Sequence, residues 1–413
     1  MKLELERQEF LKAWQTAVKF ANTKTTKESV SGVMIHASDD AVILEATDLK
    51  TSIRCKAKGV NVIEPGSAVV PASVFGEMLK KLSSDDLVLE VSSSRGLLNA
   101  GSNKMRFPVI AADEFPKIPE SSGAENICEV PAMILGKIIA EGSAAASQPQ
   151  DFPKYLGTCL IRTSEGSIMA VSTDGKRLSL SKSPCEALKD EDILLPAPAL
   201  KELGKTLSSN YGENDTVKIL ADGSTAWFGL DDVEFSIRRV EASFPKFERI
   251  LNDDVKTSLR ASVGDLISSL ERVDIIAKSN PGHIMAMSLN PSGEINITAR
   301  APELGTTSET LQASIEGENM QLGFNVSYFM DGLKALGAGE ASIEFSDVEG
   351  QARMKRTEGD DFLYMLMPAR LSQMDAMTDE ENADFNAGPQ DIPETEPQEP
   401  QEDSGNTETD APF

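Results

Sequence analysis

The stretch "ALKELGKT", Ala199–Thr206, has two readings, and the choice between them decides the fold. The pattern [AG]-x-x-x-x-G-K-[ST] marks the phosphate loop of many nucleotide-hydrolysing proteins. An apolar run, "DILLP" (Asp192–Pro196), precedes it as a P-loop strand would. A phosphate loop, however, needs a glycine-bearing backbone that turns its N–H groups inward, and "ALKEL" has no glycine. Pro198 suits a first helical turn, which puts Ala199 already inside a helix.

The helical reading gains force because the stretch recurs. "VVPASVFGEMLKKLSSDDLVLEV" from Val69, "LLPAPALKELGKTLSSNYGENDTVKIL" from Leu194 and "GFNVSYFMDGLKALGAGEASIEF" from Gly323 share one register. Pro71, Pro196 and Asn325 align; so do Phe75, Leu200 and Phe329; Lys80, Lys205 and Lys334; Leu82, Leu207 and Leu336. Apolar residues at these separations mark one face of an amphipathic helix. Each copy then passes through polar turn residues into an alternating strand.

The rest of each unit repeats as well. "VMIHASDDAVILEATDLKTSIRC" (Val33–Cys55) and "CLIRTSEGSIMAVSTDGKRLSLS" (Cys159–Ser181) align without a gap as hairpins, with Thr47-Asp48 matching Thr173-Asp174. "HIMAMSLNPSGEINITARAPEL" (His283–Leu304) is a weaker third copy. Each unit opens on a short strand and a helix, and the first two end in "DEFPKIP" and "ASFPKFERIL", which read as linkers because X-Pro pairs favour extended chain. Three domains follow, at 1–125, 126–253 and 254–371. Each is expected to hold two helices and roughly eight strands in an α+β fold, its antiparallel sheet covered on one face by helices. The early and central helices suggest that each domain is a doubled half-unit.

Composition narrows the function. Half of the net charge of −26 lies in residues 372–413, which hold thirteen acidic residues and no Lys or Arg. That tail is rich in Pro, Glu, Gln and Asn and is expected to be disordered. The four cysteines lack C-x-x-C spacing and only two histidines are present, so neither a metal centre nor a histidine triad is expected, and no cofactor. The start "MKLELERQEF" and the lack of a membrane-length apolar run lead to an expected cytoplasmic protein with no membrane partner. Thr173-Asp174 beside Lys176-Arg177 resembles an acid–base site, but its recurrence at Thr47-Asp48 fits a structural turn, so no catalysis is expected. Lysines collect on the helices (Lys12, Lys19, Lys80, Lys81, Lys137, Lys201, Lys205, Lys334), either as a solvated face or as phosphate contacts that read no bases.

Four further motifs carry a family resemblance: "STDGKRLSL" (Ser172–Leu180), "FPKFERIL" (Phe244–Leu251), "FNVSYFMDGLKAL" (Phe324–Leu336) and "YMLMPARL" (Tyr364–Leu371). On a threefold repeat, over about 1–371, the pattern resembles the bacterial sliding clamp family, the β subunit of the replicative DNA polymerase. The resemblance implies a DNA-clamp fold and a head-to-tail homodimer closing a ring around double-stranded DNA. It implies a processivity factor that tethers the replicative polymerase, the clamp loader and other proteins bearing a clamp-binding motif. It implies a partner-peptide pocket between the second and third domains, lined by Leu156, Thr173, Gly175, Lys176, Arg177, Leu178, Pro245, Ile250, Asn325, Tyr328, Met365, Met367, Pro368, Ala369, Arg370 and Leu371. There Arg177, Asn325 and Tyr328 supply polar orientation. DNA contacts are implied at Lys24, Gln150, Tyr155 and Lys154, to which the internal register adds Lys80, Lys205 and Lys334. Dimer contacts are implied at Phe107 and Val109 on one side and Ile275 and Ile276 on the other. The family commonly has His where Lys176 stands and a larger apolar residue at Ala369, and "KESV" (Lys27–Val30) departs from its usual loop. The rival readings are an acidic protein-binding scaffold that does not encircle DNA and a P-loop ATPase using Ala199–Thr206.

Overall fold

The computed structural model describes residues 1–22, 25, 27–148, 151–251, 254–348, 350–359 and 361–371. Lys24, Gln150 and the tail 372–413 lie outside them. Each repeat runs strand, helix and three strands, twice over. In the first domain the halves are Lys2–Glu6, α1 (Arg7–Val18), Gly32–Ala37, Val42–Thr47, Thr51–Ala57, then Gly66–Pro71, α3 (Ala72–Lys81), Asp86–Val91, Arg95–Ala100, Asn103–Pro108. A one-turn helix α2 (Glu28–Ser31) occupies the "KESV" segment. The second domain is built on α4 (Ala132–Gly142) and α5 (Ala197–Asn210), the third on α6 (Val263–Ala277) and α7 (Val326–Leu336). Among the described residues each domain has nine strands rather than eight. The additional one is a short strand between the halves: Val60–Glu64, Glu186–Ala187 or Ser314–Gly317, each paired with the first strand of its own repeat.

The aligned prolines sit where strand becomes helix. Pro71, Pro131 and Pro196 are the N-cap residues of α3, α4 and α5, extended in ψ, where a missing N–H costs the helix little. Asn325 caps α7 through its side chain, which accepts the Tyr328 N–H at 3.0 Å. Ala199–Thr206 lies within α5, whose Leu200, Leu203, Gly204, Thr206 and Leu207 are buried. The P-loop reading is thereby overturned. Gly204 serves packing: a Cβ there would meet Ile139 of α4 at 2.9 Å. The two presumed linkers are packed rather than simply extended. Each carries a 3-10 turn, Ala112–Glu114 or Phe247–Ile250, and buries Phe115 and Ile118 or Phe247.

All sheets are antiparallel, and two nine-stranded ones cross domain boundaries. Thr51–Ala57 of the first domain pairs with Val233–Arg238 of the second; Arg177–Pro184 of the second pairs with Phe362–Leu366 of the third. The registers are equivalent, Thr51↔Ile237 and Arg177↔Leu366. Helices cover one face. Cys159, Ile161 and Ala170 point into the core shared with them, and the first two domains form one continuous core containing Trp14, Phe75, Phe228 and Phe235. The third domain has its own core, around Leu266, Phe329 and Tyr364. Among the described residues no helix is long and apolar enough to cross a membrane.

The two Thr-Asp pairs close equivalent turns. Thr47 Oγ1 donates to the Thr51 carbonyl (2.8 Å) and Thr173 Oγ1 to that of Arg177 (2.6 Å). Asp48 Oδ1 accepts the N–H groups of Lys50 and Thr51; Asp174 Oδ1 accepts those of Lys176 and Arg177. The residue after each aspartate is left-handed: Gly175 at φ 84° and Leu49 at φ 75°. A side chain pays for that conformation and glycine does not. Leu49→Gly is therefore expected to stabilise the protein by about 0.5–1 kcal/mol in urea unfolding, glycine's greater unfolded-state entropy offsetting part of the relief.

Candidate functional site: an outer junction patch and an inner lysine groove

The junction between the second and third domains offers two surfaces. On the face away from the helices, the alternate side chains of the same strands form a second apolar layer. Leu160, Val171, Leu178, Leu180, Leu194, Phe247 and Met365 are buried there, with Tyr155, Phe244 and Leu251 partly so. Tyr155 meets Phe244 edge-to-face at 6.1 Å, and Phe244 meets Phe247 likewise. Ile250 and Met367 are about half exposed, and Pro245, in the same segment as Ile250, is exposed. Ala369 and Leu371 form a smaller cluster with Ile284 and Ala286 of the adjoining four-stranded sheet. The predicted pocket residues thus fall into two neighbouring patches. Met367 links them, its N–H bonded to the Lys176 carbonyl at 2.9 Å while the Ala369 N–H reaches Gly323. Leu156, Pro368, Asn325 and Tyr328 are half-buried; Lys176, Gly175 and Arg370 are exposed.

Arg177, Asn325 and Tyr328, expected to supply polar orientation, also take part in structural contacts. The Arg177 guanidinium bonds Asp174 Oδ2 (Nε, 2.9 Å), Asp331 Oδ2 (Nη1, 2.6 Å) and the Tyr364 hydroxyl (3.0 Å), and lies 4.0 Å from the Tyr328 ring centroid. Tyr364 in turn donates to the Tyr328 carbonyl at 2.8 Å. Burial works against the charge, but Tyr364, Asp331 and Asp174 outweigh it and hold the Arg177 pKa above the ordinary arginine value. Asn325 is occupied as the α7 cap and by the Gly282 carbonyl (2.9 Å). Arg177 joins domains and Asn325 holds backbone in place, while Arg177 Nη2 and the Tyr328 hydroxyl make no hydrogen bond among the described residues. A second clasp lies nearby: Glu141, 6% exposed, accepts Arg356 (2.5 Å) and the Ser181 hydroxyl (2.6 Å).

On the helical face, Lys205 and Lys334 line one groove of about 650 Å³ with Lys137, Lys201, Glu141 and Asp331. Burial lowers the pKa of Lys201. Lys137 is paired with Asp361 at 2.9 Å. Lys80, the third member of the register, lies on α3 outside this groove and pairs with Glu77 at 2.8 Å. Lys154 is exposed, and Tyr155 belongs to the outer aromatic cluster rather than the helical face. Phe107 and Val109 are buried within their own subunit, Phe107 against Phe75 at 5.4 Å. Ile275 is 60% exposed, and Ile276 packs in part on the third-domain core. Phe244, Phe247, Leu160 and Val171 were not expected in the site. The signal for Leu160 and Val171 is present in "CLI" and "MAV", where apolar residues occupy both faces of a strand and require cover on each.

Three antiparallel α+β repeats joined edge to edge, with helices on one side, define a DNA-clamp fold. Family models of the DNA polymerase III beta subunit match in order: the N-terminal domain over 1–119, the central domain over 129–246 and the C-terminal domain over 248–370. The chain belongs to that family. It is similar to the beta sliding clamp of Bacillus subtilis, 25% identical over 381 residues that cover 90% of this chain and 100% of that one. The beta sliding clamp of Staphylococcus epidermidis is also 25% identical, covering 90% and 99%. Among solved structures, the DNA polymerase III subunit beta of Pseudomonas aeruginosa superposes with TM-score 0.82 at 25% identity, covering 90% of this chain and 100% of that one. The beta subunit of Thermotoga maritima gives 0.82 at 24%, covering 90% and 99%. A further P. aeruginosa clamp structure is bound to griselimycin.

Arg177→Ala removes a buried cation from two carboxylates and a phenol. It is expected to cost about 3 kcal/mol, the scale for breaking a buried ion pair, read as a fall in the urea midpoint.

Proposed function

We propose that the chain is a DNA polymerase processivity clamp. Two copies close head to tail into a ring around duplex DNA, slide on it without reading sequence, and tether the polymerase, the clamp loader and other motif-bearing proteins at the outer junction patch. The reading needs no cofactor and no catalytic step, places the protein in the cytoplasm with the chromosome, and takes the domain boundaries near 125/126 and 253/254.

The observation that carries this reading is a junction rule repeated within the chain. The last strand of the first half of one domain pairs with the last strand of the next. The rule leaves two edge strands over: Asn103–Pro108 of the first domain and Gly305–Gln312 of the third. The helices follow the same rule. Thirteen and fourteen residues beyond the N-caps Glu6, Pro131 and Ser262 stand Lys19-Phe20, Ala144-Ala145 and Ile275-Ile276. Phe20 packs on Phe235 of the second domain at 5.3 Å, and Ala145 is buried in the core of the third. Ile275-Ile276 is the copy that meets no later domain among the described residues. Its counterpart is Val74 on α3, 57% exposed, which occupies the position that Tyr328 fills beneath Arg177. A second subunit supplies each missing half, and a heterologous contact that closes by rotation ends in a ring. Unpaired edges invite such pairing.

Sedimentation of the purified protein should give a dimer, and Val74→Asp with Ile275→Asp a monomer of unchanged circular dichroism. The dimer should stay on closed circular duplex and run off the same DNA once linearised. Equal loss from both forms would favour the acidic scaffold that binds proteins without encircling DNA. For the inner face, Lys80→Ser, Lys205→Ser and Lys334→Ser together should reduce the slope of log affinity against log salt by about 2 to 3, since each phosphate contact contributes close to one unit. An unchanged slope would place the contacts elsewhere.

A further inference from the structure

We infer that the acidic segment following Leu371 docks on the outer junction patch of its own subunit and competes there with partner peptides. The inference rests on the pocket reading above and adds its regulation.

The direction of chain exit is the first argument. In the strand Ile284–Asn290, Met285, Met287 and Leu289 face the helix-covered core, whereas Ile284 and Ala286 face the opposite side, and Leu371 packs on that opposite side. In Phe362–Leu366, Phe362, Tyr364 and Leu366 face the core and Met365 joins the outer layer. Chain beyond Leu371 therefore starts on the face that carries the patch, and the lysine groove is on the other. The second argument is proximity. Met367, half exposed, is bonded to Lys176 at the patch itself, only four residues before Leu371. Six extended residues, Ser372 to Met377, span about 20 Å.

Charge is the third argument. Lys154, Lys176, Lys246, Arg249 and Arg370 are all exposed on the segments that frame the patch, and none forms an ion pair among the described residues. Two nearby carboxylates are already engaged, Glu248 by Arg162 and Asp174 by Arg177. Residues 374–385 read "MDAMTDEENADF", with three large apolar side chains (Met374, Met377, Phe385) among five carboxylates. That composition matches an apolar patch with a basic rim. Attachment at Leu371 gives the segment an effective concentration in the millimolar range, so even weak intrinsic affinity makes it a competitor.

Hydrogen exchange by mass spectrometry tests this on the full chain against two full-length variants. One carries Met374→Ser, Met377→Ser and Phe385→Ser; the other carries Asp375→Asn, Asp379→Asn, Glu380→Gln, Glu381→Gln and Asp384→Asn. Residues 173–178 and 244–251 should exchange several-fold faster in both variants, with 197–210 and 326–336 unchanged. A fluorescein-labelled peptide of residues 371–388 should bind a chain ending at Leu371, which keeps every described element, about tenfold more tightly than it binds the full chain. Equal binding, no change in exchange, or changes confined to 197–210 and 326–336 would overturn the inference. Ile250→Asp with Met367→Asp separates the two readings. If polymerase stimulation is lost in that variant while the tail variants show nothing, the pocket stands and the tail's role falls. If stimulation survives, the pocket reading itself falls.

Discussion

The architecture depends on one kind of contact: antiparallel pairing between the last strand of one domain and an edge strand of the domain before it. A sheet edge carries a row of unpaired N–H and C=O groups, and leaving it exposed invites association with whatever offers the complement. Here two such edges are closed within the chain, in the same register, by Val233–Arg238 and Phe362–Leu366. Backbone pairing sets the spacing between domains to that of neighbouring strands and permits little sideways slip, because a one-residue shift would turn Phe235 or Tyr364 out of the core.

The two internal junctions share this backbone rule but differ in their side chains. The first is mainly apolar and surface-ionic: Phe20 on Phe235, Arg54 between Glu45 and Glu234, Lys58 with Asp232. The second buries some of its charges, Arg177, Asp174 and Glu141, and pairs them with the more exposed Asp331 and Arg356. Buried pairs gain little net stability over apolar packing of the same shape, but they tolerate few alternative geometries. The second junction also forms the floor of the outer patch. Leu178 and Met365 pair across it, so the docking of two domains and the shape of the patch are one structural fact.

Much of this was legible in the sequence because the chain contains three copies of one message. A single "ALKELGKT" is ambiguous; aligned with "SVFGEMLKKL" and "SYFMDGLKAL" it is a helix, and Gly204 is explained by the approach of α4. The alignment also exposed the Thr-Asp turns. What it could not show were contacts between residues far apart in the chain. Arg177 reads as a free cation next to Lys176, and only folding brings Asp331 and Tyr364, 154 and 187 positions on, to its guanidinium. The common register of Lys80, Lys205 and Lys334 likewise overstated their kinship, since helical position does not say which domain neighbours are present. Lys205 and Lys334 share a groove because their domains adjoin, whereas Lys80 stands on α3 of the first domain, outside that groove.

On the proposed reading, an acidic protein that encircles DNA has to reconcile its charge with its track, and the lysine groove offers a way. Its lysines are interleaved with carboxylates: Lys137 with Asp361, and Lys201, Lys205 and Lys334 with Glu141 and Asp331. Each phosphate passing such a surface meets an attraction that neighbouring acids and salt largely offset, so wells along the track are shallow. Tight sites would hold the ring at one position, because affinity assembled from many phosphate contacts is lost only by breaking them together. A closed ring needs no such affinity. On that reading its retention would come from topology, which would leave the inner surface free to be nearly neutral toward DNA and the outer surface free to specialise in partners.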